Sequence, residues 1–372
     1  MSVFTARPAL RWLVPLAVVA TAVGGSAIVR TVAATAGEPL PPRSAAQLLT
    51  DVQQAKLDGL SGTIVERADL GLPALPVSGG GGFNLASLAT GSHTMRVWYS
   101  GPDKLRLALI GNLGETDMVK SGSDIWTWDS DKNKATHSRI TPDTTRPSSP
   151  SPTPTLPQTP QDAAAAVLAA VEPSTVVTAT QQPVRVAGRS AYELVLEPRD
   201  TGSLVAAVRV AIDGKQHVPL RVRVFAKGSD AAVFETAFTA VNFRRPEASQ
   251  FVFTAPHGAT VQEEKTNTPT RPAPATGGAA VETPPTLIGT GWTSIAMIRI
   301  PADQLEALNT PGAKGMPFSL DSLPKVSGPW GSGHVLRTKL CTLLLTTDGR
   351  LYVGAVTADR LTAAAAKPVA GK

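Results

Sequence analysis

The sequence predicts an α+β protein: a large antiparallel sheet with helices laid against its apolar face, followed by a small second α+β unit. Three observations carry this. Residues 97–140 (VWYSGPDKLRLALIGNLGETDMVKSGSDIWTWDSDKNKATHSRI) read as four or five short strands joined by tight polar turns. The same style resumes at 192–197, 204–212, 219–225, 232–243 and 250–254, with Asp213-Gly214 marking a hairpin. Two stretches rich in Pro, Thr, Ser or Ala, 141–161 and 262–285, are too polar to bury a core; they divide the chain as an insertion and a linker.

The N-terminus reads as a targeting segment. Arg7 and Arg11 form a positive start, residues 12–29 are apolar apart from Thr21 and Ser26, and Ala34-Thr35-Ala36 fits a small-x-small cleavage site. Cleavage after Ala36 makes residues 1–36 a signal peptide. Retention makes 12–29 a transmembrane signal anchor, since eighteen residues can just span a bilayer. Either way the remainder is exported to the extracytoplasmic cell envelope. No Cys follows the apolar stretch, so no lipid-attachment site is read there.

Ser44 is a good N-cap for a helix over 45–58, stopped by Gly59, with Ala45, Leu48, Leu49, Val52 and Ala55 forming one stripe. A strand over 61–68 follows. Residues 70–91 hold Gly79, Gly80, Gly81 and Gly82 between greasy flanks; Leu75, Phe83, Leu85 and Leu88 are candidate lid residues over an apolar cavity, the plainer alternative being a surface loop. In the strands that follow, period-two alternation puts Met95, Val97 and Tyr99 on one face against Arg96 and Trp98, and Leu105, Leu107 and Leu109 on one face against Lys104 and Arg106. Such a sheet has one apolar and one wet face. Thr159-Pro160-Gln161-Asp162 opens a second, Ala-rich helix over 161–171.

Residues 286–366 read as the second unit: a strand over 292–300, a short helix over 301–308, a Gly/Pro loop, a hairpin of 335–346 with 351–356 turned at Asp348-Gly349, and a closing helix over 358–366. The lone cysteine, Cys341, falls in an apolar strand candidate and reads as a small buried hydrophobe.

The net charge of +6 does not make a nucleic-acid binder. Residues 37–261 carry 21 basic and 21 acidic side chains, without the basic stripe that phosphates need. The nine basic and five acidic residues of 286–372 allow contact with an anionic membrane surface or an acidic partner, the plainer alternative being a solubilised surface. An enzyme is not predicted. The histidines His93, His137, His217, His257 and His334 are scattered without metal-ligand spacing. There is no nucleophile elbow, phosphate loop or His-Glu-x-x-His. Ser322-Leu323-Pro324-Lys325 matches a Ser-x-x-Lys string but lies in a loop, and Gly289-Thr290-Gly291 and Gly331-Ser332-Gly333 lack a strand–helix context. No catalytic residue, metal or cofactor is assigned.

The segment 44–261 resembles the LolA-like superfamily of lipoprotein carriers, RseB/MucB-type stress sensors and mycobacterial lipid-binding lipoproteins. The matching features are an amphipathic helix and a strand, then VWYSGPDKLRL and SGSDIWTWDSDKN, then HVPLRVRVF and FETAFTAVNFRRPEASQFVFTAPHGATV. The resemblance implies an unclosed antiparallel half-barrel covered by helices, with an apolar cavity for acyl chains. It makes the sheet's apolar side chains candidate ligand contacts: Met95, Val97, Tyr99, Leu105, Leu107, Leu109, Trp126, Trp128, Phe234 and Phe238. The implied partner is a lipid or an acylated protein. The alternative is a sensing module that engages a membrane partner through 286–366. Where such carriers commonly have an arginine before the Pro of the first motif, this chain has Gly101, which favours binding or sensing over shuttling.

Overall fold

A computed structural model describes residues 40–72, 90–111, 114–140, 174–264, 285–302, 305, 320 and 323–367. Thirteen strands form one sheet: β1 (Leu60–Asp69), β2 (Thr90–Tyr99), β3 (Lys104–Ile110), β4 (Glu115–Ser121), β5 (Asp124–Asp129), β6 (Lys134–Arg139), β7 (Thr175–Ala179), β8 (Val184–Val186), β9 (Arg189–Pro198), β10 (Val205–Asp213), β11 (Pro219–Ala226), β12 (Ala232–Asn242) and β13 (Thr260–Glu264). Their order is β13-β6-β5-β4-β3-β2-β1-β12-β11-β10-β9-β7, with β8 also beside β9. Neighbours in sequence are neighbours in space through β1–β6 and β9–β12. The return of β12 onto β1 joins the two meanders. All pairs are antiparallel except β13 on β6. Among the described residues the end strands β13 and β7 do not pair with each other, and the sheet they form is open.

The turns follow from their residues. Gly101, between β2 and β3, has φ 73°, a left-handed value that glycine adopts without the Cβ penalty of other residues. Between β5 and β6 the Asp129 side chain accepts the Lys132 amide at 3.1 Å, and Asn133 takes the left-handed position.

Helix α1 (Ala45–Gln54) begins with a capping box. Ser44 Oγ accepts the Gln47 amide at 3.2 Å and Gln47 Oε1 accepts the Ser44 amide at 2.8 Å. Its stripe of Ala45, Leu48, Leu49 and Val52 packs on Tyr192, Leu194 and Ile212 of β9 and β10 and on Val177 and Ala179 of β7. The helix stops at Gln54 rather than at Asp58. The chain turns extended at Ala55, which sends Leu57 into the apolar cluster of β1–β4.

A second, six-stranded sheet is formed by β14 (Thr286–Ile288), β15 (Ile295–Arg299), β16 (Lys325–Gly328), β17 (Gly331–Arg337), β18 (Thr342–Thr346) and β19 (Arg350–Gly354), in the order β14-β15-β19-β18-β17-β16. Helix α2 (Ala358–Ala365) closes its core through Leu361, Ala364 and Ala365 against Val335, Leu344 and Tyr352. Arg350 ties that core down, donating to Tyr352 Oη at 3.0 Å and to the Trp330 carbonyl at 3.2 Å.

Several expectations are corrected. The single strand expected over 335–346 is two strands, β17 and β18, because the Thr338 hydroxyl accepts the amides of Leu340 and Cys341 and makes a turn. Cys341 therefore lies in a turn end rather than mid-strand, and is half-buried. The strand expected over 250–254 is instead the short 3-10 helix Ala248–Phe251, whose Phe251 is buried. The expected linker gives up residues 262–264 to β13. The helix over 161–171, the Pro-rich insertion and the targeting segment lie outside the described residues. So does all but Pro301, Ala302 and Leu305 of the helix expected over 301–308.

Candidate functional site

The ladder register assigns every strand residue to one of two faces. Ile64 faces Met95 across β1–β2, Gly62 faces Val97, and Leu60 faces Tyr99. Met95 faces Leu109, Val97 faces Leu107, and Tyr99 faces Leu105 across β2–β3. Leu107 then faces Met118 on β4. On the other side of β1, Phe238 faces Ile64 and Phe234 faces Ala68 on β12. One apolar face thus runs across five strands, β12-β1-β2-β3-β4. Leu60, Met95, Val97 and Leu107 are its buried centre, with Leu57, Ile64, Tyr99, Leu105, Met118, Phe238, Val241 and Phe243 packed against them.

Gly62 is necessary to this face. A Cβ there would sit 2.8 Å from the Phe238 ring and 2.6 Å from the Ala240 carbonyl. Its absence lets Phe238 lie across β1, where it bridges to a second cluster around Ala191, Ala211 and Leu220.

In the middle of the apolar face stands an acid. Glu66 follows Ile64 by two residues on β1 and points the same way, opposite His93 of β2 and Thr236 of β12. It is 1% exposed, and neither carboxylate oxygen has a hydrogen-bond partner among the described residues. Burial pushes its carboxyl up to about 8, so at neutral pH it carries a proton. Sequence reading missed Glu66. The signal was available: in the run Gly62, Ile64, Glu66, Ala68 an acid occupies the apolar register of a strand.

The predicted lining residues divide. Met95, Val97, Tyr99, Leu105, Leu107, Leu109, Phe234 and Phe238 share this face. Trp126 and Trp128 do not: Trp126 faces Val119 and Trp128 faces Asp117 across β4–β5, and both of those side chains belong to the opposite face. There Trp126 stacks on His137 with centroids 4.4 Å apart, and both tryptophans lie against Phe253 at 5.1 and 6.4 Å. The segment after β12 folds back over β3 and β4 and covers this part of the opposite face. Alternation was read correctly within each strand. What single-strand patterns do not carry is which face of one strand continues which face of the next. The candidate lid residues Leu75, Phe83, Leu85 and Leu88 lie outside the described residues.

The rest of the opposite face is charged and paired. Arg106 stacks over Trp98 and bonds Asp117. Glu193, almost fully buried, accepts from Arg221 at 3.1 Å and Arg223 at 2.8 Å. Asp213, buried at the β10–β11 turn, pairs with Arg189. Burial alone would raise its carboxyl, but the Arg189 guanidinium and the amides of Gln216 and Lys215 outweigh this and hold it below the usual range.

The second unit packs on β10 and β11, beyond the five strands of this face. Trp292, Leu340 and Ala355 pack on Val205, Val208 and Val222 of β10 and β11. Trp292 Nε1 donates to Thr175 Oγ1 at 2.8 Å, and the Leu204 amide donates to the Ala355 carbonyl at 2.7 Å. At the end of β1, the Lys339 amide donates to the Leu70 carbonyl at 2.8 Å and its ammonium pairs with Asp69 at 2.7 Å.

Among the described residues no group of three or more His, Cys, Asp or Glu side chains is placed to hold a metal ion. No helix among them is long and apolar enough to cross a membrane. The transmembrane expectation for residues 12–29 lies outside the described part.

No family of known sequences matches the chain, and no curated protein does. Several solved structures are similar to the chain at low identity. An uncharacterized conserved protein from Thermus thermophilus is 14% identical over 59% of this chain and 99% of its own, with a TM-score of 0.34. MucB in the Pseudomonas aeruginosa MucA/MucB complex is 13% identical over 86% of this chain and 96% of its own, at 0.42. The LolA superfamily protein NE2245 from Nitrosomonas europaea is 11% identical over 57% of this chain and 99% of its own, at 0.19.

Proposed function

We propose that this chain is an exported cell-envelope protein, without catalytic activity, that takes the acyl chains of a lipid or an acylated protein against the apolar face of its large sheet. The observation that carries the reading is the face across β12-β1-β2-β3-β4. It is continuous, built from large apolar side chains, and among the described residues only Leu57 and Phe243 reach it from outside the strands. A strip of this kind is covered, paired or filled by an apolar ligand. Each methylene buried on it contributes about 0.8 kcal/mol, so an acyl chain supplies ample driving force. Export follows from the basic-then-apolar N-terminus.

The test is extraction of the natively purified protein followed by lipid mass spectrometry, together with uptake of a fluorescent alkyl probe by the stripped protein. The expected result is a stoichiometric amphiphile and saturable uptake. Repeated absence of both would overturn the reading.

A second reading, a sensing module, is favoured by one observation: the second unit grips the end of β1 through Lys339, close in sequence to Glu66. It predicts a membrane protein that co-purifies with the full chain and is lost when 286–372 are removed.

A further inference from the structure

We propose that Glu66 is the polar recognition group of the apolar face, and that its ligand is an amphiphile with an uncharged, hydroxyl-bearing head whose chain lies along Ile64, Met95, Val97 and Leu107. The proposal rests on the acyl-binding reading above and adds the chemistry of the head.

The argument starts from a buried group with no partner. A carboxyl that is 1% exposed, with both oxygens unbonded, has given up its water and gained nothing from the described protein. Its surroundings in the register are Ile64 and Ala68 along β1, Met95 and His93 on β2, and Phe234, Thr236 and Phe238 on β12. No Lys or Arg of these strands shares that stretch of the face. Arg67, Arg96 and Glu235 point to the opposite side, and His93 is the titratable side chain that faces Glu66, with contacts of its own. Thr236 offers a hydroxyl beside the acid.

The protonation state selects the head. With its proton on, the carboxyl is one donor and one acceptor, which a hydroxyl matches with one acceptor and one donor. An anionic head would bring a charge into this apolar setting without a Lys or Arg of these three strands to meet it. An ammonium head would require the carboxyl to ionise first. An alcohol needs neither. Acyl or alkyl chains attached to it then lie on the neighbouring aliphatic side chains.

The experiment uses the full chain, stripped of lipid, and three oleyl probes that differ only in the head: 1-O-oleylglycerol, an ether stable to base, oleate, and oleylamine. Affinity is read by displacement of a neutral fluorescent alkyl dye at about pH 6.5 and about pH 9.5. With the carboxyl titrating near 8, the competent neutral form falls to a few per cent at the higher pH, so oleylglycerol should bind wild type roughly thirtyfold more weakly there. Glu66→Gln keeps a donor and an acceptor and cannot ionise; it should bind within about threefold of wild type at low pH and show no such loss. Glu66→Leu should lose at least about tenfold for oleylglycerol at low pH while still taking up the dye.

The proposal is overturned if wild type and Glu66→Gln share one pH profile, if Glu66→Leu binds oleylglycerol as wild type does, or if oleylamine or oleate is preferred at low pH; in each case acyl binding itself stands. Failure of every probe and of the dye in wild type overturns the acyl-binding reading, and this inference with it.

Discussion

Replacing Glu66 by Gln should make the protein more stable, and increasingly so as pH rises. The carboxyl is buried and unpartnered, and its value is pushed from 4.5 up to about 8. Between those limits the folded protein holds a proton that the unfolded chain releases. The native state then binds more protons than the unfolded state, so stability falls as pH increases. The slope is at most about 1.4 kcal/mol per pH unit. By pH 7 the wild type has lost about 3 kcal/mol relative to its stability well below pH 4.5, and by pH 8 about 4 kcal/mol, levelling off near about 5 kcal/mol above about pH 9. Glutamine has nearly the same shape and no charge to bury, so its pH dependence lacks this component. The assay is urea denaturation of the lipid-free protein and of Glu66→Gln at half-unit steps from about pH 4.5 to 8.5. The difference between the two stabilities should widen steadily from the acid end through neutrality and level off only above about pH 8. A difference that does not change with pH would refute the reasoning, since it would mean that the carboxyl finds a partner or water in solution.

Other predictions follow from the packing. Leu48 is fully buried where α1 meets β9 and β10, so Leu48→Ala should cost about 2–5 kcal/mol by thermal or chemical denaturation. Gly62→Val should displace Phe238 and cost roughly 1–3 kcal/mol, with reduced uptake of an alkyl probe, because the Ala240 carbonyl leaves no room for a Cβ. Gly101→Arg meets nothing within 4 Å but occupies a left-handed backbone, so it should fold, lose about 1–2 kcal/mol, and leave ligand affinity unchanged. Asp213 is held below the ordinary carboxylate range by Arg189 and two amides, so its stabilisation is present at neutral pH and is lost as pH falls through that range; Asp213→Asn should flatten the acid limb of the stability curve.

What was legible in the sequence was what lies within one strand or one turn. The alternation in Met95, Val97, Tyr99 and in Leu105, Leu107, Leu109 is local, and the apolar face follows it. Ser44 announces its cap by its place before the apolar stripe. The turn at Asp213-Gly214 and the glycine at Gly101 are likewise set by short-range backbone chemistry. What was not legible depends on pairing between distant segments. Trp126 and Trp128 alternate as apolar-face residues would, yet the β4–β5 register and the returning Phe253 assign them to the other side. The split of 335–346 into two strands rests on one threonine side chain capturing two amides. Glu66 went unremarked because an isolated acid in a strand normally faces water; only the pairing of β1 with both β2 and β12 shows that it does not.

The two readings of function meet on β1. Glu66 sits in its middle, and its end is held by the second unit through the Leu70 carbonyl and Asp69. If ligand occupancy is to be sensed by the second unit, a short stretch of β1 followed by these two polar contacts connects Glu66 to it. Such coupling is reciprocal: a change that loosens the grip at Lys339 must alter ligand affinity by the same factor that the ligand alters the grip. Lys339→Ala removes the ammonium from Asp69 while leaving the backbone bond to Leu70, and Trp292→Phe removes the hydrogen bond to Thr175 Oγ1 at the other contact. A sensor predicts that the double variant binds a hydroxyl-headed amphiphile with an affinity shifted by severalfold, since typical couplings are about 5–150-fold. A simple binder predicts the same affinity as wild type, with the loss confined to stability. Titration of the stripped wild type and double variant with 1-O-oleylglycerol therefore separates sensing from storage or transport without knowledge of the membrane partner.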